Sequence, residues 1–211
     1  MKNLFLSSNG RFIIEKGLKM FMKPDKVFKL AYITTAQKGV DDVEYIKIHR
    51  QGLTESGCDF KELDIEGKGE IELRQALKDM DAVWVEGGNT FYLLKAIKES
   101  GFAKVIKELI DKGLICFGSS AGASVACPTI ETSLWKVSEK DIKDDYGVKD
   151  LRALNLVPFL LKAHYKPEER DFLKKKIKEA KYPVRILQDN QAFLVNGNEV
   201  KLIGEKKEIR L

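Results

Sequence analysis

The chain has 211 residues, of which 44% are hydrophobic and 33% charged, a composition typical of a globular protein with a proper core. Its 37 Lys and Arg against 32 Asp and Glu give a net charge of +5, and these charges are spread along apparent helix faces. The absence of a basic patch disfavours nucleic acid as a partner. No apolar run approaches the ~18 residues that a membrane span needs, so we expect no membrane partner either.

The three cysteines, Cys58, Cys116 and Cys127, are odd in number and lack the spacing of metal ligands. Cys116 lies within an apolar run, and we expect it to be an inert core residue. The apolar run at the amino terminus, MKNLFLSSNG, is too short for a signal peptide. We therefore expect a reduced, soluble, cytoplasmic protein that holds no metal and no cofactor.

The first 125 residues alternate between predicted strands and predicted helices. Apolar and β-branched runs predict strands at 3–8, 28–36, 58–65, 82–86 and 114–117. Amphipathic spacing predicts helices at 12–22, 41–56, 71–80, 91–98 and 103–112. This alternation is the signature of βα units on a parallel sheet, in which ligands collect beyond the carboxyl ends of the strands.

The pattern is looser after Pro128. Residues 129–150 are polar, and we expect them to wrap over the top of the sheet. A helix is predicted at 167–180, and short strands are predicted at 184–187, 192–196 and 199–203, the last two joined by the hairpin turn Asn196-Gly197. We find no repeat, low-complexity tract or linker, so residues 1–211 are predicted to form a single α/β domain.

The segment Gly118-Ser119-Ser120-Ala121-Gly122 follows an apolar strand and precedes a helix, which is the layout of a nucleophile elbow. Side chains two residues before and after such a serine would collide at so sharp a turn. Gly118 and Gly122 occupy those positions if Ser120 is the nucleophile, which favours Ser120 over Ser119. A Gly/Ser-rich turn can instead bind phosphate without catalysis, although this one lacks the spacing of a P-loop or a dinucleotide site.

A serine nucleophile needs a base to take its proton, and the chain has two histidines. His49 lies in the charged stretch KIHRQ, and we expect it to be a solvated surface residue. His164, in a loop after an apolar segment, is the candidate base, with a purely structural histidine as the alternative.

The imidazole in turn needs an acid to hold its tautomer. The candidates downstream are Glu168, Glu169, Asp171 and Asp189. The first three open a predicted helix, where acids are expected for electrostatic reasons alone. Asp189, in a turn between two predicted strands, is the better choice.

Four stretches carry a resemblance to a known family: VWVEGGNTFYLLKAI, GSSAGASV followed by Pro128-Thr129-Ile130, LNLVPFLLKAHY and LQDNQAFLV. They resemble the peptidase E family of serine peptidases, which includes aspartyl dipeptidases and cyanophycinases. The resemblance spans most of the chain. It implies a doubly wound, three-layer α/β sandwich with a mostly parallel sheet, like the class I glutamine amidotransferases.

The resemblance also implies roles for individual residues. Ser120 would be the nucleophile, His164 the base and Asp189 the orienting acid, while the N–H groups of Gly88 and Ala121 would form the oxyanion hole. Asn89 and Arg170 are the predicted substrate-binding residues.

Two departures from the family concern the acid and the arginine. The best-known aspartyl dipeptidases carry glutamate at the position of Asp189, and they have a longer loop between the histidine and the arginine that grips the substrate's aspartate. Here that loop is brief, residues 165–169, and Arg170 is the nearest match. The alternative for Arg170 is an ion pair on a helix face, which would be worth little.

The activity that we predict is hydrolysis, through an acyl-enzyme, of dipeptides or short peptides near the amino end, with Asp-Xaa dipeptides as one candidate substrate. One alternative is a family member with little or no turnover that binds a peptide or a small acid. Another is an amidase or esterase that acts on a non-peptide acyl group. We expect a monomer or a homodimer.

Overall fold

The structure is a computed structural model, and it describes residues 2–41, 43–135, 145–205 and 207–211. Its strands within these ranges are β1 (Asn3–Ser7), β2 (Lys29–Ile33), β3 (Asp59–Leu63), β4 (Ala82–Val85), β5 (Ile115–Ser119), β6 (Leu160–Lys162), β7 (Val184–Ile186), β8 (Ala192–Asn196) and β9 (Glu199–Ile203). The longer helices are Glu44–Glu55, Glu70–Leu77, Thr90–Ser100, Phe102–Asp111 and Arg170–Glu179.

The main sheet has the order β3-β2-β4-β5-β1-β8-β9, counted over the described ranges. The five strands from β3 to β1 in this order pair in parallel, and β8 and β9 add an antiparallel edge. Helices follow the parallel strands as crossovers. The predicted α/β fold, mostly parallel and doubly wound, is confirmed.

Side chains of the central strands alternate between two cores, because successive residues of a strand point to opposite faces. Leu4 and Leu6 of β1 contribute to one hydrophobic cluster, while Phe5 between them contributes to the other. In β4, Val83 and Trp84 divide in the same way. Burial on both faces explains why these strands are continuous apolar runs without polar alternation.

The predicted strands and helices are present, with ends that differ by a few residues. The predicted helix 12–22 is found as consecutive helical segments, Gly10–Phe12, the π-helical Ile13–Gly17 and Leu18–Phe21. The polar stretch 129–150, expected to wrap over the sheet, lies partly outside the described residues, which omit 136–144. No helix in the described ranges is both long and apolar enough to cross a membrane.

A second sheet, which the sequence did not predict, pairs β6 with β7 in parallel. Its importance is positional. His164 follows β6 by two residues, and Leu187, directly after β7, is bonded to the same segment through its N–H to Lys162 O (2.9 Å). The small sheet therefore brings the predicted base and the turn that carries Asp189 to one place.

Candidate active site

Ser120 lies at the turn between β5 and a short helix, Ala121–Ser124. Its backbone has φ 50° and ψ −108°, a region that non-glycine residues rarely adopt and that is typical of strained functional positions. A Cβ on Gly118 would lie 2.7 Å from Gly122 O, and a Cβ on Gly122 would lie 1.9 Å from Val85 O. Both glycines are therefore required by close backbone contacts, as the turn predicted.

Ser119 is fully buried and already engaged. Its Oγ accepts a hydrogen bond from Trp84 Nε1 (2.9 Å) and donates one to Glu86 Oε1 (2.5 Å). A hydroxyl whose proton is held by a buried carboxylate is poorly placed to attack a substrate. The geometry thus agrees with the glycine spacing in favouring Ser120.

Ser120, His164 and Asp189 form a continuous chain of contacts. His164 Nε2 lies 3.0 Å from Ser120 Oγ, and His164 Nδ1 lies 2.7 Å from Asp189 Oδ1. If Nδ1 carries the proton and donates to the carboxylate, the lone pair of Nε2 faces the serine hydroxyl, which is the tautomer that a base requires. The structure therefore brings the three predicted catalytic residues together.

The pKa of Asp189 is lowered from its usual value. Partial burial acts to raise it, but the charge and hydrogen bond of His164 and the hydrogen bonds of Ser8 and Asn9 lower it further than burial raises it. The site is open to solvent, since the side chains of His164 and Asp189 are 45% and 61% exposed. Asp189 is therefore a carboxylate throughout the neutral range and is available to orient the imidazole.

The predicted oxyanion-hole residues, Gly88 and Ala121, both line a cavity of about 240 Å³ beside Ser120 and His164. Gly88 has φ 137°, and a Cβ on it would lie 2.4 Å from Ala36 O, so only glycine fits there. Ala121 opens the short helix, and its N–H has no carbonyl one turn earlier within that helix. Both residues thus border the space next to the serine.

A second cavity, of about 450 Å³, lies on another side of Ser120 and His164. Its lining includes Asn9, Tyr45 and His49. Ser120, His164 and Gly88 therefore border both cavities.

Comparison with known proteins agrees with this geometry. A sequence model of peptidase family S51 matches residues 4–203, nearly the whole chain. The chain belongs to peptidase family S51. It is therefore a peptidase, a hydrolase of peptide bonds, and the resemblance to peptidase E is confirmed.

Individual relatives of this S51 peptidase are similar over most of their length. An uncharacterised peptidase of Pasteurella multocida is 32% identical over 208 residues, which cover 96% of this chain and 97% of the relative. A peptidase E of a Nostoc species is 32% identical over 78% of this chain and 66% of the relative. A crystal structure of a candidate peptidase E from Listeria monocytogenes superposes with a TM-score of 0.83 at 29% identity, covering 98% of this chain and 100% of that one.

The predicted substrate-binding residues have different placements in the S51 peptidase. Asn89 lines the smaller cavity, but its Oδ1 accepts from the N–H groups of Phe91 and Tyr92 (2.9 and 3.0 Å), so it also caps the helix Thr90–Ser100. Arg170 is exposed and lines neither of the two cavities beside Ser120. The structure does not bring Arg170 to the site.

Lys162 is the cation that lines the smaller cavity, and sequence reasoning missed it. Its Nζ lies 3.0 Å from Glu169 Oε1, and the two side chains are only 12% and 16% exposed. No motif marked Lys162. Its position one residue before Ala163-His164, at the end of β6, was the available signal.

The expectation that His49 is a solvated surface residue was wrong. His49 is buried, and its Nδ1 lies 2.7 Å from Glu86 Oε2. In the helix Glu44–Glu55 the buried residues Ile46, His49 and Leu53 recur at i, i+3 and i+7, so the periodicity of the helix placed the histidine on the apolar face even though its neighbours in sequence are charged.

Glu86 joins this buried histidine to the elbow. One carboxylate oxygen accepts from Ser119 Oγ and Gly87 N–H (both 2.5 Å), and the other accepts from Tyr32 Oη (2.6 Å) as well as from His49. Burial and the charge of Glu86 raise the pKa of Tyr32, so the phenol keeps its proton and donates it. Glu86 thus has two hydrogen-bond partners on each carboxylate oxygen, and it directly precedes the Gly87–Gly88 loop.

All three cysteines are buried and unbridged. Burial raises the pKa of Cys116 and Cys127 to about 12, which keeps both thiols protonated and unreactive. The expectation that Cys116 is inert core is confirmed.

Proposed function

We propose that this S51 peptidase is a serine peptidase that hydrolyses dipeptides or short peptides near their amino end, in a single domain spanning residues 1–211. The observation that carries the proposal is the chain of contacts from Ser120 Oγ through His164 to Asp189, at 3.0 and 2.7 Å. The expected cytoplasmic location and the monomeric or homodimeric state stay predictions.

The proposed mechanism is acyl transfer. Ser120 Oγ attacks the carbonyl carbon while His164 Nε2 takes its proton, and the carboxylate of Asp189 stabilises the imidazolium. The N–H groups of Gly88 and Ala121 stabilise the oxyanion. His164 then returns the proton to the leaving amine, and water, activated by the same imidazole, hydrolyses the acyl-enzyme.

The sizes of the two cavities beside Ser120 support a small substrate. The space lined by Gly88, Ser120 and Lys162 is about 240 Å³ and the one lined by Asn9, Tyr45 and His49 is about 450 Å³, against ~300–1,000 Å³ for sites of drug-sized ligands. A dipeptide or the end of a short peptide suits spaces of this size. The preference for Asp-Xaa depends on whether Lys162 is available to a substrate carboxylate.

The intact contact chain favours turnover over a role in binding alone, because a binding module has no need of a serine, a histidine and a carboxylate in this order. An amidase or esterase that acts on a non-peptide acyl group would use the same residues. The identity of the substrate therefore has to be decided by assay.

Labelling by a fluorophosphonate probe tests the mechanism. The wild-type protein and Ser119→Ala should be labelled at Ser120, as read by mass spectrometry of the peptides, and Ser120→Ala should not. Ser119→Ala is the matched control because it removes the neighbouring hydroxyl, which is bound to Trp84 and Glu86. Unlabelled wild-type protein, or labelling that survives in Ser120→Ala, would contradict the proposal.

A dipeptide library read by mass spectrometry then identifies the substrate. We expect cleavage of peptides with a free amino end and none by Ser120→Ala. Cleavage of non-peptide amides or esters in preference to all dipeptides would favour the amidase or esterase alternative.

A further inference from the structure

Ser8 lies outside every motif of the predicted site, yet it contacts two of the three proposed catalytic residues. It follows β1 directly and is fully buried. Its Oγ accepts from the backbone N–H of His164 (2.9 Å) and donates to Asp189 Oδ1 (3.0 Å). A hydroxyl has a single hydrogen, and since the N–H of His164 can only donate, that hydrogen is free for the carboxylate.

We propose that Ser8 is a positioning residue, which holds His164 and Asp189 in the relative orientation that Ser120 requires. The proposal rests on the proposed function, since it assigns a role within the same catalytic chain. Ser8 itself touches neither Ser120 Oγ nor the space in which a substrate would react, so it acts through the other two residues.

The catalytic residues need such a support because they are exposed and conformationally unusual. The side chain of Asp189 is 61% exposed, so water competes for its oxygens. His164 has φ 56° and Asn190, next to Asp189, has φ 62°. Such backbone conformations persist only where the surrounding structure fixes them. Ser8 supplies a buried hydrogen bond to the backbone of His164 and another to the carboxylate.

The end of β1 is a rigid reference for these contacts. Ser8 N–H donates to Gln191 O (3.0 Å), in the segment that carries Asp189, and Ser120 N–H donates to Ser7 O (3.0 Å). β1 is itself held between β5 and β8. Two consecutive residues, Ser7 and Ser8, therefore bind the segments of all three catalytic residues to one strand of the sheet.

Ser7 offers a matched control for the role of Ser8. Ser7 contacts Ser120 only through its backbone carbonyl, which alanine retains. Its side chain is as buried as that of Ser8, and its Oγ donates to Gln191 O (3.2 Å) and to none of the three proposed catalytic residues. If Ser8 only satisfies buried polar groups, Ser8→Ala and Ser7→Ala should lower the free energy of unfolding to a similar extent, and the two variants should have the same kcat. If Ser8 positions the catalytic residues, only Ser8→Ala should lower kcat in folded protein.

The kinetic test compares Ser8→Ala with Ser7→Ala on a peptide that the wild-type protein cleaves. We expect kcat to fall by about 10- to 100-fold in Ser8→Ala, the scale for a catalytic group displaced by a fraction of an ångström to one ångström. KM should change little, because Ser8 does not bind substrate. A kcat for Ser8→Ala equal to that of Ser7→Ala would overturn the proposal.

A spectroscopic test does not depend on turnover. The two histidines each place Nδ1 at 2.7 Å from a carboxylate oxygen, His164 from Asp189 and His49 from Glu86. A proton in so short a charge-assisted hydrogen bond gives a downfield NMR resonance, and ¹⁵N-histidine labelling with His164→Gln assigns the two. In Ser8→Ala we expect the His164 resonance to broaden or disappear while that of His49 stays as an internal control.

An unchanged His164 resonance in folded Ser8→Ala would overturn the proposal. If Ser8→Ala does not fold, Ser8→Cys is compared with wild type in the same two experiments. A thiol of similar size is a weak donor and a weak acceptor, so both hydrogen bonds of Ser8 would be weakened. Fluorophosphonate labelling that survives in Ser120→Ala would contradict the proposed function. The NMR comparison does not depend on that result, so the two proposals can fail independently.

Discussion

Gly122 lies so close to the backbone of Val85 that a Cβ added to it would be 1.9 Å from Val85 O. Val85 ends β4, and Gly122 belongs to the short helix after Ser120. This contact therefore sets how closely the elbow approaches the Gly87–Gly88 loop, which follows β4. The distance between the proposed nucleophile, Ser120, and the proposed oxyanion hole therefore depends on the absence of a side chain at position 122.

Gly122→Ala should destabilise the protein and lower its activity. Alanine normally favours a helix over glycine by about 1 kcal/mol, but here the methyl group would overlap a backbone oxygen, and overpacking costs roughly 1–3 kcal/mol. Urea unfolding measures the change. Gly69→Ala is the control, because the nearest atom to its added Cβ is 3.9 Å away, and a Gly122→Ala variant more stable than wild type would contradict the contact.

Glu86→Gln should lower the free energy of unfolding by about 1–3 kcal/mol, the cost of leaving buried hydrogen-bond donors unpaired. The amide would turn an NH₂ group towards donors such as Tyr32 Oη and His49 Nδ1. Glu15→Gln, which breaks the exposed pair with Arg11, should cost at most about 1 kcal/mol. Equal losses in the two variants would mean that the buried hydrogen bonds to Glu86 contribute no more than the exposed ion pair.

Asp189→Asn should lower kcat by about 10²–10⁴-fold with little effect on the fold, because an amide turns its NH₂ or its oxygen to His164 and no longer enforces the productive tautomer. Steady-state kinetics on a cleaved dipeptide measure the loss, and circular dichroism checks the fold. A kcat equal to that of wild type would indicate that another acid orients His164. Glu168 and Glu169 are the nearest candidates in sequence.

The stabilising contribution of Asp189 should depend on pH in a definite direction. Its pKa is lower in the folded protein than in the unfolded chain, so the unfolded chain binds the proton more readily. The contribution is present above the ordinary aspartate value of about 3.9 and is lost as pH falls through the folded value. The difference in unfolding free energy between wild type and Asp189→Asn should therefore shrink below about pH 4, and a difference that grows would contradict the shift.

Lys162, and not Arg170, should decide any preference for a substrate carboxylate, since Lys162 lines the cavity beside Ser120. Lys162→Met should lower kcat/KM for Asp-Xaa dipeptides by about tenfold, the lower end for a hydrogen bond between charged groups, and should spare uncharged dipeptides. Arg170→Met is the matched control and should change neither.

Glu169→Gln tests the same role of Lys162 by removing the negative charge that pairs with it. It removes the carboxylate 3.0 Å from Lys162 Nζ, so the cation becomes available and kcat/KM for Asp-Xaa should rise relative to uncharged dipeptides. Loss of Asp-Xaa cleavage in Arg170→Met alone would show instead that the exposed arginine reaches the substrate.

Local physical rules in the sequence were enough to predict the fold class, and they also gave Ser120 as the candidate nucleophile. The alternation of apolar runs and amphipathic segments is a periodic signal, and each segment carries it independently of the others. The requirement for glycine at position 118 follows from a collision within the turn, with Gly122 O, whereas that at position 122 follows from the approach of Val85 in β4. The i, i+3, i+7 spacing of Ile46, His49 and Leu53 also indicates the buried state of His49, whereas the charge of its neighbours in sequence does not.

The tertiary structure alone decided which distant residues contact the proposed catalytic residues. Ser8 meets His164 across 156 positions and Asp189 across 181, because β1 lies between β5 and β8 in the sheet. Lys162, at the end of β6 in the separate two-stranded sheet, lines the cavity, whereas Arg170 does not. Periodicity and turn chemistry specify elements, but the neighbours of a side chain depend on strand order and on how the chain leaves each strand, for which no short stretch of sequence carries a signal.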